Sequence, residues 1–582
     1  MSVPSLLSIF GNSGGEDPVY VDDVFSTYLW GGNSTDNRAI NNGIDIDGEG
    51  GLVWIKNRDL GENHILSDSE RGATSYLQSN SNTDSSTSST RVKSFTSTGF
   101  TLGTDGNVNA TNYNYASWTF RKAPGFFDVV TYTGNGVAGR TISHSLGSVP
   151  GMIVIKRTNA SEDWIVGHRS ITLGTGRLML NDNTGNSNGS ATTYWNNTAA
   201  TSSQFTVGSH VAVNGDGSTY VAYLFAHDEA VFGTDGDESI IKCGITPTIS
   251  QFGNANIELG FEPQFLLVKA VDISGSWVML DVMRGIGTSV NNPPAILNPN
   301  SASSEGTSSD AAAIFSTGYS QKEYSSGNTR YIYMAIRRPH KPPEAGTEVF
   351  AVDSRNSTSP VAKPAFKSPF PADLGFAKWG GPENGLEWHI STRLTSERVI
   401  VSNSTAAETG ASYETWDWQN GYYSEGGVYS TDYGWMFKRA PGFLDIVAYT
   451  GTGSPHTINH NLTVPPELMI VKSRSYADAW HVYSSALGNT KYINLNVDTK
   501  DGTLAVWNNT TPTSSVFSVG SRGETNTNNA NTTTTAANLY LNGFTVNQEG
   551  NIDLPNVGTV NLVNQTLDQA KETITTLARE YI

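Results

Sequence analysis

The sequence predicts an all-β protein: five tandem antiparallel β-sandwich modules of jelly-roll or lectin-like type, followed by a short C-terminal α-helix. Three observations carry this reading. Charged residues make up only 15% of the 582-residue chain, while 59 Gly, 24 Tyr, 22 Phe and 13 Trp give a turn-rich, aromatic-rich composition. A fixed order of short segments recurs about every 100 residues, roughly the size of one sandwich. Each segment is a run of Val, Ile, Tyr, Phe and Trp bounded by Gly, Asn, Asp and Ser, which is how strands and their turns read.

The recurrence is plainest between "SWTFRKAPGFFDVVTYTG" from Ser117 and "GWMFKRAPGFLDIVAYTG" from Gly434. A strand such as "FSTYLW" or "FDVVTYTG" opens each module. An apolar strand ending in lysine follows: "LVWIK" at Lys56, "MIVIK" at Lys156, "FLLVK" at Lys269, "LGFAK" at Lys378 and "LMIVK" at Lys472. Trp164, Trp277 and Trp480 stand just beyond three of these lysines, His64 holds that place in the first copy, and Trp388 comes slightly later in the fourth. Next come a Ser/Thr/Asn-rich excursion, a segment such as "QFTVGS", and a closing aromatic strand such as "YVAYLFA". Pro124 and Gly125 then mark the joint between one sandwich's last strand and the next one's first. A lysine ending an apolar strand is expected to run its stem over the sheet edge and its ammonium to solvent, blunting edge pairing. The tryptophans are expected to pack between sheets.

These signals divide the chain into an N-terminal attachment segment (1–16), modules at 17–122, 123–230, 231–340, 346–440 and 441–545, and a C-terminal strand and helix (546–582). "RRPHKPPEAGTE" (Arg337 to Glu348), with Pro339, Pro342 and Pro343, reads as a stiff extended spacer. The polar tracts from Ser79 and Glu524 read as exposed loops. In "TLDQAKETITTLAREYI" the residues Leu567, Ala570, Ile574, Leu577 and Tyr581 follow 3-4-3-4 spacing, an apolar stripe suited to docking or to oligomerisation.

Candidate chemistry is sparse. A net charge of −18 argues against nucleic acid or an anionic membrane as partner. The N-terminal stretch resembles neither a signal peptide nor a spanning helix, so no membrane insertion is expected. Cys243, the single cysteine, rules out an intrachain disulfide and is expected to be a small buried hydrophobe. In "GIDIDGEGG", Asp45, Asp47 and Glu49 would share one face of a strand and loosely resemble the paired carboxylates of jelly-roll glucanases. The sister segments "SHSLGSVPG" and "NHNLTVPPE" hold nothing comparable, so catalysis is not the expectation. Lys56 at the twelfth position from Asp45 excludes an EF-hand and leaves a looser calcium contact open. His144 and His460 occupy equivalent places, and turn hydrogen-bonding is the expectation for both. Neither an enzyme activity nor a cofactor is expected.

The order "DDVFSTYLW", "NGIDIDGEGGLVWIKNRD", "GFTLGT", "ASWTFRKAPGFFDVVTYTG" and "TISHSLGSVPGMIVIKR", with "YIYMAIRRPHKPPEAGTEVFAV" further on, resembles the repeat-built tail-fibre-like structural proteins of tailed phages infecting marine bacteria. The resemblance spans about residues 17 to 545. It implies a virion component assembled in the host cytoplasm: a tail fibre, tail-tip or adsorption protein, with other tail proteins and a host cell-surface glycan or protein receptor as partners. A homo-oligomer is expected, a trimer above other states. A capsid-surface decoration and a polysaccharide-cleaving tailspike stay open as alternatives, the second disfavoured by a repeat far longer than a β-helix coil.

Overall fold

A computed structural model describes residues 17–171, 176–186, 191–288, 294–307, 312–323, 328–355, 363–378, 387–410, 414–424, 432–497, 506–520, 540–541, 544–545, 551–554 and 558–561. The attachment segment 1–16 and the stripe Leu567, Ala570, Ile574, Leu577 and Tyr581 lie outside them, as does the polar tract from Glu524.

The chain is all-β. Its described α-helices are three single turns, Val21–Val24, Ala191–Trp195 and Val211–Asn214. Strands pair antiparallel throughout, in many small sheets. One sheet order recurs: entry strand, exit strand, lysine strand, tryptophan strand. In the first module these are Phe25–Gly31, Asn114–Arg121, Gly51–Asn57 and Ile65–Asp68. In the second they are Phe127–Thr133, Thr219–Phe225, Met152–Arg157 and Ile165–His168. The third repeats it with Ile241–Ile245, Tyr331–Arg337, Pro263–Ala270 and Trp277–Asp281, and the fourth with Phe350–Arg355, Asp432–Phe437, Leu374–Lys378 and Trp388–Thr392. In the fifth, Leu468–Val471 pairs with His481–Ser484. The exit strand joins the first strand of a module to the third, so each sheet closes late in its own sequence; an unbroken aromatic run suits that central position.

A smaller sheet covers each main one, such as Arg38–Asn41, Gly99–Leu102 and Val92–Thr96 in the first module and Arg140–Ser143 with Gln204–Val207 in the second. Period-2 alternation sends one side-chain set of the lysine strand toward this cover and the other set outward. In a lone sandwich the outward set would be wet. Here Leu52, Trp54, Met152, Val154, Phe265 and Leu267 are that outward set, and all are buried. They meet at one centre, so the first three modules share a single continuous core instead of stringing separate ones along the chain. Residues to Arg522 form one compact unit and Gly523–Ile582 a second. The described part of the second is two hairpins, Tyr540–Leu541 with Phe544–Thr545 and Asn551–Leu554 with Gly558–Asn561.

The joint at Pro124 is a tight reversal: Gly125 sits at φ +74°, a left-handed conformation that glycine adopts without strain, while Ala123 bridges Phe127. The same bridge recurs from Ala440 to Leu444. Arg337–Glu348 is not the free spacer its prolines suggest. Arg338 and His340 are buried in it, and Arg338 pairs with Asp445 at 2.8 Å, because ion pairing holds the segment against its neighbours.

Candidate functional site

Four of the five lysines do not reach solvent; Lys472 is half-buried. Lys56, Lys156 and Lys269 are fully buried, and Lys378 nearly so. The ammonium of Lys156 donates to the Arg157 carbonyl (2.9 Å) and across a module boundary to the Asn82 carbonyl (3.2 Å). Lys269 likewise donates to Gly275 (2.6 Å) and across to Asn183 (3.1 Å), and Lys472 to Ser473 (2.8 Å) and across to Thr405 (3.3 Å). Lys56 stays within its module, on Asn57 and Leu60. A fixed ammonium can cap several turn carbonyls where no water enters, which corrects the expectation of an edge-blunting lysine. Burial pushes these ammonium groups down to about 8 in Lys56, Lys156 and Lys269.

The tryptophans work beside them. Trp164 donates its indole N–H to the Gln78 and Ser81 carbonyls of the first module (3.0 and 3.1 Å). Trp277 donates to Met179 of the second (2.8 Å), and Trp480 to Val401 and Ser404 of the fourth (both 3.1 Å). His64 takes the same place in the first module. Its Nδ1 accepts from Trp54 (2.9 Å), so Nε2 carries the proton and donates to Asn298 of the third module (3.1 Å). Burial holds the His64 pKa well below the usual imidazole value. The second module therefore rests on the first, the third on the second and the first on the third: a closed ring of three. An equivalent seam joins the fifth to the fourth.

Each acceptor turn is shaped from within. Asn80, Asn181, Asn300 and Asn496 accept, on Oδ1, the backbone N–H of His64, Trp164, Trp277 and Trp480 (2.9 to 3.0 Å). The tract from Ser79 is thus a buried seam at its start and not an exposed loop; the Ser79 hydroxyl donates to Pro299 at 2.7 Å. Two seams add ion pairs: Arg58 grips Glu305 with two hydrogen bonds (2.6 and 2.9 Å), and Arg474 grips Glu408 in the same way (2.8 and 2.9 Å).

Where the first, third and fourth modules meet, a cleft of about 400 Å³ opens to solvent. Its walls include five amide side chains, Asn41, Asn42, Gln264, Gln419 and Asn420, among apolar and charged ones. Three of its four cations, Arg338, Arg393 and Arg439, are answered by carboxylates. Arg439 makes a bidentate pair with Glu262 (2.7 and 2.9 Å), and Arg393 lies 3.5 Å from Asp373. The Asp445 carboxyl, which burial alone would raise, is held below its usual range by Arg338 and Arg439. The amides of this opening offer hydrogen-bond donors and acceptors together.

One family model matches residues 21–339 and 390–545, most of the chain, under the description "Domain of unknown function (DUF7483)". The chain belongs to the DUF7483 family. No curated protein and no solved structure matches it.

In this DUF7483 member the remaining sequence candidates take up local roles. Asp45, Asp47 and Glu49 lie in a loop, not on a strand; the Asp45 side chain accepts from the Gly48 N–H at 2.7 Å, because the glycines favour a turn over an extended run. Among the described residues no three His, Cys, Asp or Glu side chains gather as a metal site. His144 and His460 each accept from the backbone two residues on (Leu146 at 3.3 Å, Leu462 at 3.2 Å), the expected turn role. Cys243 is buried, and burial pushes its thiol up to about 12. Among the described residues no helix is long and apolar enough to cross a membrane.

Proposed function

We propose that this chain is a structural protein of a phage virion, a tail fibre or tail-tip adsorption component that contacts the host surface through its repeated sandwiches. One observation carries the reading: Lys156, Lys269 and Lys472 with Trp164, Trp277 and Trp480 bond across module boundaries, to turns that the repeat's asparagines shape. A repeat so used makes a rigid scaffold whose outer loops and clefts are left for recognition. The amide-lined cleft suits a host-surface glycan, and several copies of the chain in a tail would multiply weak contacts through effective concentration. Other tail proteins are the remaining partners, and the site of assembly is the host cytoplasm.

Gold-labelled antibody against the purified chain, imaged on intact virions of a phage that encodes it, tests this reading. Label on the tail is the expected result. Label over the head makes the chain a capsid decoration, and virions free of label remove it from the particle.

A further inference from the structure

The cleft where the first, third and fourth modules meet does not end at its rim. Asp22 and Lys438 line it, and the same two residues line a second opening of about 280 Å³ along the Arg337–Glu348 segment, whose walls include Pro342, Pro343 and Val349. The two openings therefore adjoin, and Lys438 stands at their junction. The backbone fixes it there: Lys438 directly follows the exit strand of the fourth module, and its N–H donates to the Val349 carbonyl at 2.8 Å. A ligand that runs through both openings has to pass its ammonium.

Lys438 differs from the other cations of the cleft. Arg338, Arg393 and Arg439 each meet a carboxylate. Among the described residues no carboxylate comes within ion-pairing distance of the Lys438 ammonium, and no acceptor takes a hydrogen bond from it. The acids nearby are engaged by backbone: Asp22 accepts the N–H groups of His340 and Lys341 (2.9 and 3.1 Å), and Glu348 accepts that of Glu344 (3.0 Å). Around the ammonium the cleft offers neutral polar groups. The Asn420 amide and the Tyr28 hydroxyl make no hydrogen bond among the described residues. Burial raises the Tyr28 pKa, so that its hydroxyl stays a donor. Gln264 and Gln419 donate to the Arg337 and Thr27 carbonyls (2.8 and 3.2 Å), which leaves their amide oxygens as acceptors for a ligand.

We propose that the cleft and the opening beside it together bind the interior of a linear anionic saccharide, its carboxylate or sulfate group paired with the Lys438 ammonium. This names the class of glycan and rests on the reading of the cleft as a glycan site. Amide side chains donate and accept at once, as sugar hydroxyls do, so Gln264, Gln419 and Asn420 suit the uncharged part of the chain. The ammonium adds a charge-assisted hydrogen bond that an uncharged sugar cannot make. The three arginines cannot supply it, because each already answers a carboxylate of the protein, and turning to a ligand would leave that carboxylate unpaired. A single sugar fills only one of the two openings, so affinity has to grow with the length of the chain.

Isothermal titration calorimetry on the full chain tests it, with a galacturonate hexamer, a sulfated galactan hexamer, an uncharged galactan hexamer and the galacturonate monomer as probes. At least one anionic hexamer should bind about tenfold or more tighter than the uncharged one, and which of the two binds tells carboxylate from sulfate. It should also bind about a hundredfold tighter than its monosaccharide. Lys438→Met should weaken the anionic hexamer about tenfold or more, and Lys438→Arg should keep most of its affinity. Since the Lys438 ammonium has no protein partner, both variants should melt with the wild type, which separates lost binding from lost folding. Equal affinity for charged and uncharged hexamers, equal affinity for hexamer and monomer, or undiminished binding by Lys438→Met would each overturn the proposal and leave a glycan site in place. No heat from any of the four probes would remove the glycan reading of the cleft, and the proposal with it.

Discussion

The first four modules are built from the same strands in the same order, the fifth shows the same lysine and tryptophan strands among its described residues, and the first three differ from the last two in how many neighbours each has. Within the ring every outward apolar residue of a lysine strand has two modules to pack against, and Met152 and Val154 are buried. Within the pair the same positions, Leu468 and Ile470, face water. Burial of the lysines follows the same division. Lys156 and Lys269 are sealed, their ammonium groups pushed down to about 8; Lys472 is half-buried, and burial lowers its pKa. The environment of a residue in this protein is set less by its own module than by closure of the assembly around it.

That contrast can be broken first at the joint between ring and pair. Glu262→Ala removes the bidentate partner of buried Arg439 and leaves Asp445 alone to answer both Arg439 and Arg338, and a loss of about 3–5 kcal/mol is expected. Denaturant unfolding measures it, and a loss under about 1 kcal/mol would mean that water reaches the pair. Next come the seam tryptophans. Trp277→Ala removes a fully buried ring and a cross-module hydrogen bond, for about 3–5 kcal/mol. Trp480→Ala, made in the open pair, should cost less by the same assay, since solvent can enter the space it leaves; equal losses would erase the distinction.

A smaller effect follows from pH. For Lys56, Lys156 and Lys269 the folded value is near 8 and the unfolded value 10.5, so between those limits the unfolded chain holds more protons. Stability therefore rises with pH across that window, and the destabilisation is fully present below it. Thermal melts at pH 8 and pH 9.5 should show the rise, and Lys156→Met/Lys269→Met should flatten it, whereas Lys472→Met should hardly alter it. The smallest effect belongs to the surface: Lys93→Ala, which loses an exposed pair with Asp36, should leave the melting temperature unchanged within the error of the same melts.

Strand identity was legible because period-2 alternation and turn residues are local, and so the all-β class and the lysine strands could be read from the chain. The roles of Lys156 and Trp164 were not, since each depends on a carbonyl of the preceding module, Asn82 or Gln78, that no pattern within one repeat points to. A signal for the turns was present: an Asn follows the tryptophan place in the first, second, third and fifth copies, at Asn80, Asn181, Asn300 and Asn496, and its recurrence in polar tracts of otherwise variable sequence marks a fixed function. Strand alternation was also misleading at one point. Asp45, Asp47 and Glu49 alternate as a strand would, but Gly43, Gly48, Gly50 and Gly51 around them favour a turn. The cleft could not have been found in advance, because Asn42, Gln264 and Gln419 come from three modules and share no motif.

Native-state hydrogen exchange on the full chain, read by mass spectrometry, tests the division between closed ring and open pair most directly. Amides of Gly51–Asn57, Met152–Arg157 and Pro263–Ala270 should exchange slowest and at one common rate, as parts of a single cooperative unit. Those of Leu468–Val471 should exchange far sooner. Three different rates among the ring strands, or protection of Leu468–Val471 equal to theirs in the monomeric protein, would contradict the account.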